Sequence, residues 1–310
     1  MSKVDISVII STRDRAALLE YCLINLCEQT LYPSRYNICV VDNGSSDNTQ
    51  EIVKKVAARY PKHQLFSLFE PLPGVCRAHN RGIAATESDY LAFPDDDVRV
   101  QPDWLQRFLA HFEVGDPQLA IIGGEITPIW KGKKPDWITE GMLVFLSATT
   151  NLGHLPRYVT LEEYFIECNS CYRRSALAEV GNFPEYLGRS GNSLLCGQNV
   201  VEAGIKNRGG LALYDPNIIV RHIIHADRLT PTWFRRRFFW QGVTGQAVRI
   251  YQTQHGMEVD SVLKLNLPLE PKDWAFVNHD TSEGLETSLH YFQSLGFILA
   301  ITGIMPLEVS

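Results

Sequence analysis

At 310 residues the chain is long for one domain, yet it can form one α/β unit with additions. Its 45% hydrophobic and 21% charged residues are ordinary for a globular protein and exclude a disordered chain. A net charge of -6 gives no reason to invoke nucleic acid, despite the local basic run Arg235-Arg236-Arg237, and no stretch reaches the roughly 20 apolar residues a membrane span needs.

Met1-Ser2-Lys3-Val4-Asp5 leads straight into a strand, without the apolar stretch of a secretory signal. The β-branched run Ile6-Ser7-Val8-Ile9-Ile10-Ser11 reads as a buried parallel strand. Leu18, Leu19, Cys22, Leu23, Leu26 and Cys27 then recur at the spacing of one helix face. Asn37 to Asp42 repeats the strand, Asn43-Gly44-Ser45-Ser46-Asp47 makes a turn, and Ile52, Val53, Val56, Ala57 and Tyr60 mark a second helix. Gln64 to Phe69 is a third strand, and Gly74 to Gly82 opens a short helix. Strands alternating with helices in this way predict a mostly parallel central sheet with helices on both faces.

Tyr90-Leu91-Ala92-Phe93-Pro94 is a short strand closed by a proline, which has no N–H for a sheet ladder. It delivers Asp95, Asp96 and Asp97 at its carboxyl end, where open α/β sheets bind ligands. Three adjacent acids repel one another unless a cation joins them, and hard oxygen ligands suit Mg²⁺ or Mn²⁺. Taken alone, the same three acids also fit a solvated turn.

Pro102-Asp103-Trp104 starts another helix, and Ala120 to Ile126 is a strand. From Thr127 to Phe165 periodicity weakens among glycines, prolines, Trp130 and Trp137, which points to binding loops for an acceptor. Leu211 to Tyr214 and Ile218 to Val220 resume strand character, and Thr232 to Tyr251 and Thr281 to Ile304 look helical. This divides the chain into residues 1–230, with a nucleotide-binding half at 1–125 and an acceptor half at 126–230, and a helical extension at 231–310.

Seven cysteines, at positions 22, 27, 39, 76, 168, 171 and 196, lack the paired spacing of a disulfide framework and suggest reduced thiols in a cytoplasmic protein. Cys168-Asn169-Ser170-Cys171 has no second C-x-x-C to complete a zinc site. The C-terminal apolar positions Leu289, Phe292, Leu295, Phe297, Leu299, Ile301 and Ile304 fit either a packed helix or a peripheral membrane contact.

In order and spacing, Ser7 to Arg15, Val40 to Thr49, Gly74 to Gly82 and the three acids resemble family 2 glycosyltransferases of the GT-A fold. Arg228-Leu229-Thr230, Trp233 to Arg237 and Trp240-Gln241-Gly242 are similar to bacterial, especially cyanobacterial, exopolysaccharide members. The resemblance implies an inverting transfer of a sugar from a nucleotide-diphosphate donor to the hydroxyl of a glycan or lipid-linked acceptor, with Mn²⁺ or Mg²⁺ as cofactor. It implies that Thr12, Arg13 and Asp14 lie at the nucleotide, that Asp42 accepts from the base or instead caps its turn, and that Arg77 approaches the base or diphosphate or is merely exposed. Asp95 is implied at the ribose and, with Asp97 and His222, at the metal; a histidine after a strand can equally be a packed residue.

The family's acidic pair before a helix ending near Glu-Ala-Gly is replaced here by Gln198 and Asn199. Amides cannot accept a proton at neutral pH. Glu202, four residues on, is an offset candidate for the base if it is not a surface residue. The alternative to an enzyme is a nucleotide-sugar or glycan binding module. A nucleotidyltransferase is a weaker reading for want of a glycine-rich, lysine-containing phosphate loop, and an oxidoreductase is weaker still for want of a G-x-G-x-x-G after any strand.

Overall fold

A computed structural model describes residues 4–150, 152–190, 193–194, 197–256 and 282–302. Met1 to Lys3, Cys196, Thr281 and Ile304 lie outside them. Strand β1 (Ile6–Thr12) is followed by helix α1 (Ala16–Cys27), β2 (Tyr36–Asp42), α2 (Thr49–Arg59), β3 (Gln64–Phe69) and α3 (Val75–Ala84). Next come β4 (Tyr90–Ala92), β5 (Val98–Val100), α4 (Trp104–Val114), β6 (Leu119–Trp130), β7 (Arg157–Tyr158), β8 (Ser170–Arg173) and α5 (Arg174–Glu179). The hairpin strands β9 (Arg189–Ser190) and β10 (Ser193–Leu194), α6 (Gln198–Asn207), β11 (Leu211–Ile224), α7 (Pro231–Gln254) and α8 (Ser282–Ile301) complete the order.

Nine strands form one sheet in the order β3-β2-β1-β4-β8-β6-β11-β5, with β7 beside β11. Strands β3, β2, β1, β4, β6 and β11 run one way, and β8, β5 and β7 run the other. The alternation of side chains along β1 builds a core on each face. Ile6, Val8 and Ile10 pack with Leu19, Leu23, Val53 and Phe108, while Ile9 packs on the opposite side with Ile83, Phe183 and Val201. Burial on both faces is why this strand reads as a continuous apolar run. Each such side chain contributes roughly 1.5–3 kcal/mol by leaving water.

Two stretches depart from their sequence outlines. The strand expected at 120–126 runs on to Trp130, and the remainder of the expected loop carries a short 3-10 helix at Glu140–Leu146 and β7. Leu211 to Tyr214 and Ile218 to Val220 belong to a single strand, β11, whose register against β6 shifts between Asp215 and Ile219, around Pro216. The α7 helix starts cleanly: Thr230 Oγ1 accepts from Trp233 N (3.2 Å), and Pro231 occupies the first turn, where no intrahelical N–H is required.

A third apolar cluster joins Ile138, Met142 and Leu146 to Ile224, to Phe234 and Phe238 of α7, and to Leu285 and Leu289 of α8. Of the C-terminal apolar positions singled out above, Leu289 and Phe297 are buried, and Ile301 is exposed. Among the described residues, no helix is long and apolar enough to cross a membrane. Cys168 and Cys171 are free, fully enclosed thiols in the main core, pushed well above the usual cysteine range by burial. That state suits packing and not metal ligation.

Candidate active site

The acids sit in the connection between β4 and β5, and sheet register decides what meets them. Strand β5 pairs antiparallel with β11, setting His222 opposite Val98, and Ile223 N donates to the Asp97 carbonyl at 3.0 Å. A residue more than a hundred positions downstream is thus seated beside Asp97. Its Nε2 lies 3.2 Å from Asp97 Oδ1, and its Nδ1 lies 3.0 Å from the Ser147 carbonyl oxygen. A carbonyl can only accept, so Nδ1 carries the hydrogen, and Nε2 presents its lone pair toward the carboxylate.

Asp97 Oδ1 is itself buried and has no hydrogen-bond partner. A cation placed between two facing lone pairs relieves this arrangement, and ligand atoms of Asp95, Asp97 and His222 all lie within 4.8 Å of one another. The set fits Mn²⁺ or Mg²⁺. Of its members, Asp97 and His222 are buried and Asp95 is half-buried.

Two arginines offset the rest of the negative charge. Arg15 Nη1 reaches Asp96 Oδ1 at 2.9 Å and Asp97 Oδ2 at 3.1 Å, and Arg228 Nη2 lies 3.6 Å from Asp97 Oδ2. Thr12 Oγ1 donates to Asp96 Oδ2 at 2.7 Å. Burial raises all three acids, but unequally in net effect. His222, when its ring is charged, together with Arg15 and Arg228 outweighs burial and holds Asp97 below the usual carboxylate range. Asp96 is pushed up to about 6, because burial exceeds what Arg15 and Thr12 return, and Asp95 is raised by burial and by the charge of Asp97.

A cleft of about 580 Å³ opens over these acids, within the size range of small-molecule sites. Thr12, Arg13, Asp95 and Asp97 line it, as do Gln198 and Asn199 at the start of α6. Asp14, Asp42, Arg77, Glu202 and the buried His222 do not. Asp14, in the left-handed region at φ 53°, accepts from Ser46 N and Oγ and ties the first loop to the second. Asp42 accepts from Ser45 N (2.8 Å) and Gln50 Nε2 (3.1 Å), so its carboxylate braces the turn whose Asn43 lines the cleft. Arg77 pairs with Glu185 at 2.6 Å.

Glu202 has zero exposure and accepts from Phe165 N (3.1 Å), Tyr172 Oη (3.2 Å) and Gln198 Nε2 (2.5 Å). The offset acid is therefore neither a surface residue nor in contact with the cleft, because the same helix turn that aligns it with Gln198 directs both side chains into the packing of residues 165–172. Arg15 and Arg228 stood within the family-like stretches without a site role, and the Ser147 carbonyl was not among the residues singled out by sequence. Arg15 lies three residues past the end of β1, the strand that neighbours β4 and its acids.

The model for "Glycosyl transferase family 2" matches residues 7–181. The chain is similar to the glucosyl-dolichyl phosphate glucuronosyltransferase of Haloferax volcanii, 24% identical over 202 residues, covering 61% of this chain and 63% of that protein. It is also similar to glycosyltransferase AglE of the same organism, 31% identical over 187 residues, covering 60% and 58%. The matched regions span less than two thirds of the length of these relatives. A mannosyltransferase of Pyrobaculum calidifontis, solved with GDP-Man and Mn2+, superposes with a TM-score of 0.61 at 18% identity, covering 98% of this chain and 75% of that one. The likeness establishes a GT-A fold.

Proposed function

Because the chain belongs to glycosyl transferase family 2, we propose that it transfers a sugar, with inversion, from a nucleotide-diphosphate sugar to a hydroxyl of a glycan or lipid-linked acceptor. The observation that carries this reading is the buried Asp97–His222 contact, with its orphaned carboxylate oxygen, on a residue that lines the cleft. A relative named for glucosyl-dolichyl phosphate and a fold neighbour holding GDP-Man and Mn2+ support it.

Asp95, Asp97 and His222 would hold Mn²⁺ or Mg²⁺, and when bound the ion supplies positive charge for the departing diphosphate. Arg15 and Thr12 fix the acids in place, and Arg228, partly stripped of water, offers a second cation at the diphosphate end. Arg13 and Asn43 mark the nucleoside end of the cleft, where Asp14 and Asp42 hold the two loops together. Asp95 is the acid exposed enough to reach a ribose. Arg77 serves this site through Glu185, unless a nucleotide displaces that pair.

Titration calorimetry with UDP and GDP, in Mn²⁺ and in chelator, tests the reading. Binding should require Mn²⁺. Asp97→Ala should abolish that requirement together with tight binding, whereas Asp103→Ala, whose carboxylate pairs with Arg107 on α4, should change neither. Equal affinity for the diphosphates in metal and in chelator would sink it.

A further inference from the structure

We propose that Glu167 is the general base that takes the proton of the acceptor hydroxyl, a task that Gln198 and Asn199 cannot perform. The proposal rests on the transferase reading above. Among the described residues, the carboxylates lining the cleft are Asp95, Asp96, Asp97 and Glu167. Asp96 is bound by Thr12 and Arg15, and Asp97 by Arg15, His222 and Arg228, while Asp95 belongs to the metal set. Glu202 is sealed away from the cleft.

Glu167 differs from all of these. Its side chain is 22% exposed and makes no ion pair with a lysine or arginine. Its contact is with His79, whose Nδ1 lies 3.1 Å from Glu167 Oε1 without the alignment of a hydrogen bond, so both atoms remain unpartnered. His79 is 3% exposed and wedged between Phe93 and Phe183, with ring centroids 4.9 and 5.2 Å away. These rings hold the imidazole beside the buried Oε1, while the Glu167 side chain as a whole keeps part of its surface exposed in the cleft.

The backbone places Glu167 between the two working ends of the cleft. Toward the acids, Phe93 N donates to Ser170 O (3.3 Å) just after the turn that Glu167 begins. Toward α6, Gln198 Nε2 donates to Phe165 O (3.1 Å), two residues before it. Glu167 is also near enough to Asp95 for its charge to act there, though less than burial, Asp97, His222 and Arg189 do.

In the transfer step, the acceptor O–H gives its proton to the Glu167 carboxylate as the oxygen bonds to the anomeric carbon. The bond from that carbon to the diphosphate oxygen breaks, and its electron pair leaves with the nucleoside diphosphate. Glu167 ends as a neutral acid, exposed enough to return the proton to solvent.

Water can stand in for the acceptor, so the test uses the full chain with Mn²⁺ and a panel of UDP-glucose, UDP-N-acetylglucosamine, UDP-glucuronate and GDP-mannose, following nucleoside diphosphate release. Glu167→Gln should bind UDP or GDP with Mn²⁺ within about twofold of the unaltered chain, yet release diphosphate about 10²–10⁴-fold more slowly, the usual loss for a general base. Azide has no proton to lose, so it should restore release by Glu167→Gln and yield the inverted glycosyl azide. Glu167→Asp should fall between. If Glu167→Gln binds diphosphate and hydrolyses donor at the unaltered rate, or is slow but gains nothing from azide, Glu167 is not the base. Metal-dependent binding without release from any donor by the unaltered chain overturns the proposal as well. Failure of the unaltered chain to bind diphosphate with Mn²⁺ overturns the transferase reading and the proposal with it.

Discussion

Glu202 combines zero exposure with three donors aimed at its carboxylate. Burial dominates that balance and pushes it up to about 7 from the usual glutamate range. The folded chain therefore keeps a proton that the unfolded chain releases once pH passes the ordinary value. Stability falls as pH rises from there toward 7 and is level beyond, and the loss is about 3 kcal/mol at most. Glu202→Gln carries no such titration, so its melting temperature should gain on that of the unaltered chain between pH 5 and pH 8. Thermal unfolding curves that keep a constant separation across this range would refute the assignment. The acids stood out in sequence because a strand end announces ligand-facing residues locally, whereas His222, inside β11, came only from the family resemblance. Arg15 did not, since 81 residues separate it from Asp96 and only the pairing of β1 with β4 brings them together. Glu202 misled for a related reason: helical spacing says which residues share a face but not whether that face meets a cleft or a core.

Helices α7 and α8 show how an element can be read correctly and its surroundings missed. The apolar positions of α8 fitted equally a membrane surface or a packed helix, because composition does not say what covers a face. Its glycine carries the missing information. A Cβ on Gly296 would lie 2.0 Å from the Phe239 carbonyl oxygen, and one on Gly242 would lie 1.8 Å from the Gln293 carbonyl oxygen, so the two backbones touch at both points. Gly296→Ala should gain up to about 1 kcal/mol in helix propensity, yet backbone cannot rotate away as a side chain can. Overpacking of this kind typically costs about 1–3 kcal/mol, so the variant should be less stable in urea. An increase in its unfolding midpoint would show that the helices are not in close contact. The strand β11 gives the opposite case, where two outlined stretches, Leu211 to Tyr214 and Ile218 to Val220, are one strand that bulges around Pro216 and continues. The continuation matters, because it is the second half of the strand that carries His222.

Across the whole molecule, the cleft has walls from distant parts of the chain. Asp95 to Asp97 supply one, Glu167 and the start of α6 another, and Trp233 and Gln241 of α7 a third. The division at residue 230 falls where α7 begins, but the apolar face of α7 shares a cluster with Ile138, Met142 and Leu146. Between the cluster's Leu146 and Ala148 lies Ser147, which sits in the left-handed region at φ 54° and offers its carbonyl to His222 Nδ1. Packing of the C-terminal helices is thereby linked to the histidine of the metal set. Phe238→Ala tests the link, since Phe238 is 5% exposed and lies 4.3 Å, ring to ring, from Phe145 beside that segment. Truncating a buried phenylalanine costs about 3–5 kcal/mol. If the 3-10 segment loosens, the Ser147 carbonyl no longer fixes the ring, and losing such a support typically costs about 10–100-fold in metal affinity. We therefore expect weaker Mn²⁺ binding by Phe238→Ala, measured from the free-ion signal by electron paramagnetic resonance under conditions where the variant remains folded. A variant that loses stability but binds Mn²⁺ as tightly as the unaltered chain would show that the helices support the fold without tuning the site.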